Sequence, residues 1–508
     1  MRRSLASFLV VAVAVATLVV LPATPGGAAG SFTFYGSGWG NGLGLSQWGA
    51  YGLAQDGWNR KRILTHFYSG TRLATADSPP KALRIGLVQG KVKIRLEAEA
   101  GPVDLRLGPK GGDVVVTIPK GETWTVRVAG SDYRILDASG ARVGDPVGGP
   151  NANLLAVYEP NGARVHVAET GHTYAHGRIE FNLYNCQTGC VERLINVIAP
   201  QPYLYGIAEV PSSWPRPALQ VQAIAARTYA FAKAATGQHR AGCNCALYAS
   251  SLDQVYIGWD KENGVDGSRW VGAVDATDDL VVRYKGEPIQ AFYSSSSGGW
   301  TENNENVWGG TPIPYIRGVC DPGDYTTANP NAVWQTTFTA EQVTDALGLG
   351  IGTVTGFAVT DRGVSGRIVS VTVKGESGTA TLSGLAFRFA LGLRDDRVWI
   401  NRNRQVIGEI RTKYDAVRCA PGLPTSKQVK VAGGSSQEFE NGTIYFKDGI
   451  GAHVLSGDVL AFYRDRGGPS GSLGFPTSDV IKRDSGATLA HFENGTITCT
   501  ASGSCSVS

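Results

Sequence analysis

Between Tyr203 and Gly237 the chain reads YLYGIAEVPSSWPRPALQVQAIAARTYAFAKAATG, and no other stretch limits the possible folds as tightly. Pro202 suits a first helical turn and Pro211 cannot continue one, so a short helix is expected there, with Glu209 at its end. After a turn over residues 212–215, Ala218, Val221, Ala225, Thr228 and Ala232 recur at the spacing of one helical face, and Gly237 supplies a stop. Ala223, Ala225 and Ala226 let another element come close, which fits a buried central helix. A carboxylate is thereby held at a helix-to-helix corner. The ordinary use of such a glutamate is capping or solvation, and the functional use is general acid–base chemistry.

The sequence around this helix pair is strand-like. From Lys81 to Val147 apolar and polar residues alternate, as in LRIGLV, VDLRLG and TWTVRVAG, with Gly and Asp between the runs. Strands continue over 151–197, including RIEFNLY and ERLINVIA. Glycine supplies 67 of 508 residues, nearly twice the usual share of about 7 per cent, as expected where strands are joined by tight turns. The fold class expected is α+β, a mainly β core with a few central helices, a β subdomain on its N-terminal side and a small C-terminal β module. In residue ranges, 1–29 reads as a signal peptide and 30–77 as a Gly-rich motif with a helix. Residues 78–150 form the β subdomain, 151–418 the principal domain and 419–508 a repeat module.

A formal net charge of +4 is small for this length, which argues against nucleic acid and against polyanion binding in general. Arg2 and Arg3 precede an apolar run from Leu5 to Leu21, and Pro22, Pro25, Ala28 and Ala29 come next, the pattern of a secretory signal cleaved near Ala29. The alternative is an uncleaved anchor. Secretion, to the cell wall or beyond, favours oxidised cysteines, and there are eight. The expected pairs are Cys186 with Cys190, Cys320 with Cys419 and Cys499 with Cys505. His239, Cys243 and Cys245 are spaced H-x3-C-x-C, which leaves zinc as the alternative to a disulfide, although a fourth ligand is missing nearby. No other cofactor is expected.

Five separated motifs occur in order: YLYGIAEVPSSWP, ALQVQAIAARTYA, DQVYIGW, PIQAFYSSSSGGWTENNENVWGG and PYIRGVCDPGD. Together they resemble the sporulation stage II protein D family, the SpoIID/LytB domain, whose members act on bacterial peptidoglycan. The resemblance implies a lytic transglycosylase in which Glu209 is the catalytic acid. Because the sugar's own hydroxyl closes a 1,6-anhydro ring, one carboxyl suffices, with a pKa raised by burial or by the negative end of a helix. The resemblance also makes the Gly-bearing serine loop a groove wall, with Tyr293, Ser296, Ser297, Gly298, Gly299, Thr301 and Glu302 at the glycan and Arg227 contributing from the central helix. Glu302 is the carboxyl to consider should Glu209 fail.

Residues 32–71 carry a glycine motif similar to one in that family, matched at Ser46, Gln47, Gly49 and Ala50, and it adds Ser46 and Gln47 to the expected binding residues. Asn41 stands where the family has histidine. The motif commonly closes the domain but here precedes everything else, so 32–70 is expected to pack against 383–400. In the tail, GLPTS at Gly422 recurs as GFPTS at Gly474, and FENGTI at Phe439 recurs at Phe492. This repeat resembles the LGFP repeats of actinobacterial cell-wall proteins, which implies attachment to envelope polymers. A separately folded tail predicts that removing 421–508 leaves a soluble core. Two other classes compete with the enzyme: a non-enzymatic activator of a cell-wall amidase, and a peptidoglycan-binding scaffold.

Overall fold

A computed structural model describes residues 30–108, 112–149 and 152–508; the expected signal segment, 1–29, lies outside the described residues. Two antiparallel-rich sheets share one apolar interior. The larger orders its seven strands as Leu247–Tyr248, Leu83–Lys91, Val191–Ile198, Arg178–Tyr184, Asn153–Val157, Val103–Leu107 and Val114–Ile118. The six-stranded sheet runs Val147–Gly148, Asp132–Leu136, Thr123–Ala129, Lys93–Glu99, Arg164–Val167 and His172–Tyr174. Alternation drives this arrangement, since Ile94, Leu96, Val103, Leu105, Leu154 and Phe181 all point into the common core and are fully buried. Strands on either side of residue 150 therefore interleave. Leu154 opposes Leu107 and Ile85 opposes Asn196, so the segment expected as a separate 78–150 unit shares both sheets with strands from the 151–198 stretch.

The central helix, Arg216–Thr236, begins at a proline pair and is buried without interruption from Ala218 to Phe231. It packs on the helix Gly267–Asp275, the strand Leu280–Tyr284 and two N-terminal helices, Gln47–Gln55 and Arg60–Phe67. Small residues allow these approaches from several sides at once.

The first described strand, Ser31–Gly36, lies between Trp334–Thr339 and Val398–Ile400. Phe34 opposes Ile400 on one side and Thr336 on the other, so the N-terminal motif does contact the expected late segment. A second apolar core forms there from Phe32, Phe34, Val371, Val373, Phe387 and Val398. The helix Ala340–Leu347 opens with the capping box expected of Thr339 and Gln342.

In the tail, two four-stranded sheets each carry a helix. Tyr414, on the helix Gly408–Ala416, stacks on Phe439 and donates through its hydroxyl to the Gly422 carbonyl at 2.8 Å. Tyr463, on Gly457–Asp465, does the same with Phe492 and the Gly474 carbonyl at 2.7 Å. The structural repeat thus starts at the helix Gly408–Ala416, ahead of residue 419. Cutting at 421 would uncover that helix instead of leaving a finished core.

Four disulfides join Cys186 to Cys190, Cys243 to Cys245, Cys320 to Cys419 and Cys499 to Cys505. The second corrects the zinc alternative: both thiols are consumed, and His239 faces Asn244, with 2.6 Å between Nδ1 and Oδ1. No described helix is long and apolar enough to cross a membrane.

Candidate acid site at Glu209

The short helix spans Pro200–Tyr205 and stops earlier than expected. A Cβ at Gly206 would overlap Tyr256 and Gly258, and Ile207 forms a bridge with Tyr256. The chain therefore crosses residues 207–210 tied to the 254–257 segment. The Ala208 amide donates to the Val255 carbonyl at 2.9 Å, and the Val255 amide donates to Glu209 Oε1 at 2.7 Å. Buried Lys261 donates to the Val210 carbonyl at 2.6 Å, and burial holds its ammonium down to about 8. The half-buried carboxyl is thus fixed from both flanks.

Burial raises the Glu209 pKa above the ordinary carboxylate range, against the lowering effect of the Val255 amide and of the Tyr293 and Gln47 side chains that reach it. The expected helix-end contribution drops out, because the helix ends four residues before Glu209. Tyr293 and Gln47 arrive together through a parallel pairing of Tyr293 with Leu45 and Ser294 with Ser46. Behind them runs a buried relay. Tyr203 donates to Gln254 Oε1 at 2.9 Å, Gln254 Nε2 donates to Tyr293 Oη at 2.9 Å, and Gln47 Nε2 donates to Gln222 Oε1 at 3.3 Å. Gln222 and Gln254 were missed as site residues, although both lie inside motifs that the sequence displays. The neighbouring Asp253 pairs with Arg240 at 2.5 Å and Lys233 at 3.6 Å, and it also accepts from Tyr229.

The other expected binding residues sit elsewhere and are inward-facing. Ser46 and Ser296 donate to Asp324 at 3.0 and 2.8 Å, and Ser297 donates to Asp321 at 2.6 Å. All three serines are buried, so their hydroxyls satisfy two buried aspartates instead of lining an open groove. Burial, and for Asp321 the adjacent Asp324, pushes these carboxyls up. Gly298 and Gly299 have φ of 70° and 101°, and a Cβ on either would strike Ser37 or the Arg411 guanidinium. Thr301 is 1 % exposed and accepts from the Val319 amide.

Glu302 is fully buried and accepts from Ser365 Oγ and the amides of Asn303, Val364 and Ser365. It clamps the loop at 363–365 and is no reserve acid. Arg227, 1 % exposed, donates to the Thr277 carbonyl at 2.7 Å and to Gln201 at 3.0 Å, closing the end of the helix Gly267–Asp275. It is a structural residue.

A fixed, half-buried carboxyl with a raised pKa, backed by an amide and phenol relay on a mixed α+β scaffold, has the features that general acid–base chemistry requires of a candidate group. Residues 191–284, which contain it, match the SpoIID family model, described as Stage II sporulation protein, and residues 422–471 match the LGFP repeat. The chain carries a SpoIID domain and an LGFP repeat. It is 33 % identical over 135 residues to the amidase enhancer of Bacillus subtilis (strain 168), covering 27 % of this chain and 16 % of that protein. It is 26 % identical over 270 residues to the stage II sporulation protein D of Bacillus amyloliquefaciens, covering 48 % of this chain and 75 % of that protein. The corresponding protein of Bacillus subtilis (strain 168) is 27 % identical over 218 residues, 41 % of this chain and 62 % of its own. The chain thus spans a small part of the amidase enhancer and most of the first sporulation protein.

Proposed function

We propose that this chain is a peptidoglycan lytic transglycosylase working at the cell wall after secretion. The observation that carries the reading is the Glu209 carboxyl, whose pKa burial raises while the Val255 amide fixes its position. In the reaction the Glu209 proton passes to the oxygen between N-acetylmuramic acid and N-acetylglucosamine as that C–O bond breaks. The resulting carboxylate then takes the proton of the muramic C6 hydroxyl as its oxygen bonds to C1, closing the 1,6-anhydro ring and restoring the acid. No water enters. Tyr293 and Gln47 orient the carboxyl, and Asp253, engaged by Arg240 and Lys233, takes no part.

A second reading is favoured by the similarity to a protein named amidase enhancer. On it the Glu209 cleft binds glycan or an amidase without cleaving, and the LGFP repeat holds the chain to the envelope. Digestion of purified peptidoglycan with analysis of the products by mass spectrometry separates the two. Glu209→Gln keeps the side-chain shape but has no transferable proton, so anhydro-muramic products should fall at least about a hundredfold with glycan binding retained. Equal anhydro yields at matched thermal stability would rule out Glu209. Stimulation of an added amidase, with no anhydro product even from the wild type, would favour the activator.

A further inference from the structure

The small net charge conceals an uneven distribution. Along the seam between the core and the first tail repeat lie three clefts of about 370, 580 and 550 Å³. They form one run, since Arg402 and Arg404 line the first two, and Asn403 and Lys427 line the second and third. Arg362, Arg402, Arg404, Lys427 and Lys430 face this run, against a single carboxylate, Asp448. Among the described residues none of these five cations has a carboxylate within ion-pair distance. Arg362 is held in place by the Val398 carbonyl at 2.9 Å and lies 5.5 Å over the Trp399 ring. Unpaired cations gathered in a concave surface attract anions, and here only Asp448 in the run and the more distant Asp396 beside Arg362 offset them.

We infer that the seam binds an anionic glycopolymer, a chain of sugars or polyols charged by phosphodiester or carboxylate groups. The cations are strung along three clefts instead of converging on one point, which fits a linear ligand and not a single small anion. Between them the walls offer hydroxyls and amides, Thr425, Ser426, Asn401 and Asn403, suited to polyol hydroxyls. Trp399 is 5 % exposed and so is closed to the base stacking that single-stranded nucleic acid uses. Arg362, Arg402 and Arg404 come from the core whereas Lys427 and Lys430 come from the repeat, so the site exists only while the two are docked, as the Cys320–Cys419 disulfide ensures. This inference stands apart from the acid chemistry at Glu209.

The test uses the full chain with fluorescent poly(glycerol phosphate) and polygalacturonate as the two charge types, neutral dextran as the control and oligothymidylate of matched charge as the competitor. One of the two anionic polymers should bind, and its identity names the charge type. In Arg402→Gln/Arg404→Gln/Lys427→Gln/Lys430→Gln, binding in about 50 mM salt should weaken at least about tenfold, with a shallower salt dependence. Lys427→Gln/Lys430→Gln, confined to exposed positions, should weaken binding in the same direction and provides the test if the fourfold variant misfolds. Undiminished affinity in a folded variant, dextran binding as tight as either polymer, or tighter binding of oligothymidylate would overturn the inference.

Discussion

Ending the chain at Ala420 keeps the helix Gly408–Ala416 but removes what covers it. Ile410 and Tyr414 are 0 % and 2 % exposed, and their cluster is completed by Phe439 and Ile444 from the lost segment. Re-exposing two large side chains costs roughly 3–6 kcal/mol, a sizeable part of the ~5–15 kcal/mol that holds a typical domain together. Fraying this helix also withdraws Arg411, whose guanidinium sits against Gly299 and whose charge lowers the Asp324 pKa against the effect of burial. The truncated chain should therefore melt more than about 5 °C below the core transition of the full chain and bind a hydrophobic dye at temperatures where the full chain does not. Calorimetry with the Cys320–Cys419 bond confirmed intact is the measurement. A truncated chain that melts within about 1 °C of the full-length core and binds no dye would refute the coupling.

Buried carboxyls lead to two further outcomes. Glu192 is fully buried with both oxygens unpartnered, and burial pushes its pKa up to about 9. The folded chain therefore retains a proton that the unfolded chain loses near pH 4.5, and stability falls as pH rises from there toward 9. Glu192→Met should remove about 3 kcal/mol of that fall by pH 7, read from denaturant melts at pH 5 and pH 7; parallel pH slopes for variant and wild type would count against it. Glu302→Gln presents an NH2 group where the carboxylate accepts, so it should lower stability by about 3 kcal/mol while leaving the glycan product pattern unchanged at permissive temperature. Loss of anhydro product from a folded Glu302→Gln variant would return that residue to the chemistry.

The central helix, its stop at Gly237 and the tail repeat were legible because each rests on periodicity, which survives whatever packs against it. Glu209, Tyr293 and Gln47 were singled out through motif resemblance, and in the structure the three side chains are neighbours. The serine loop was misread because a run of hydroxyls looks the same whether it meets a sugar or a buried carboxylate. Asp321 and Asp324 supply that difference from across the chain, in the CDPGD motif. Arg227 was misread for a like reason, since its partners are carbonyls and carbonyls leave no trace in sequence. The start of the tail did have a signal. Gly408 and Gly457 both open helices with positive φ, 60° and 56°, and Tyr414 and Tyr463 come after them at the same interval. The shared residues are too few to stand out beside GLPTS and GFPTS.

The position of the first strand has a consequence for how the chain reaches this structure. Ser31–Gly36 is a middle strand, yet the amide of Thr33 bonds to the Asn401 side chain 368 residues away, and its neighbours come from 334–339 and 398–400. During synthesis it emerges early and must wait for nearly the whole core. Closing so long a loop before any contact rewards it makes this step intrinsically slow. Until residue 400 is available the sheet cannot be completed, and Phe32 and Phe34 remain uncovered. A nascent chain would thus stay unfinished and open to chaperones, and final closure would be a late event dependent on nearly the full length of the core.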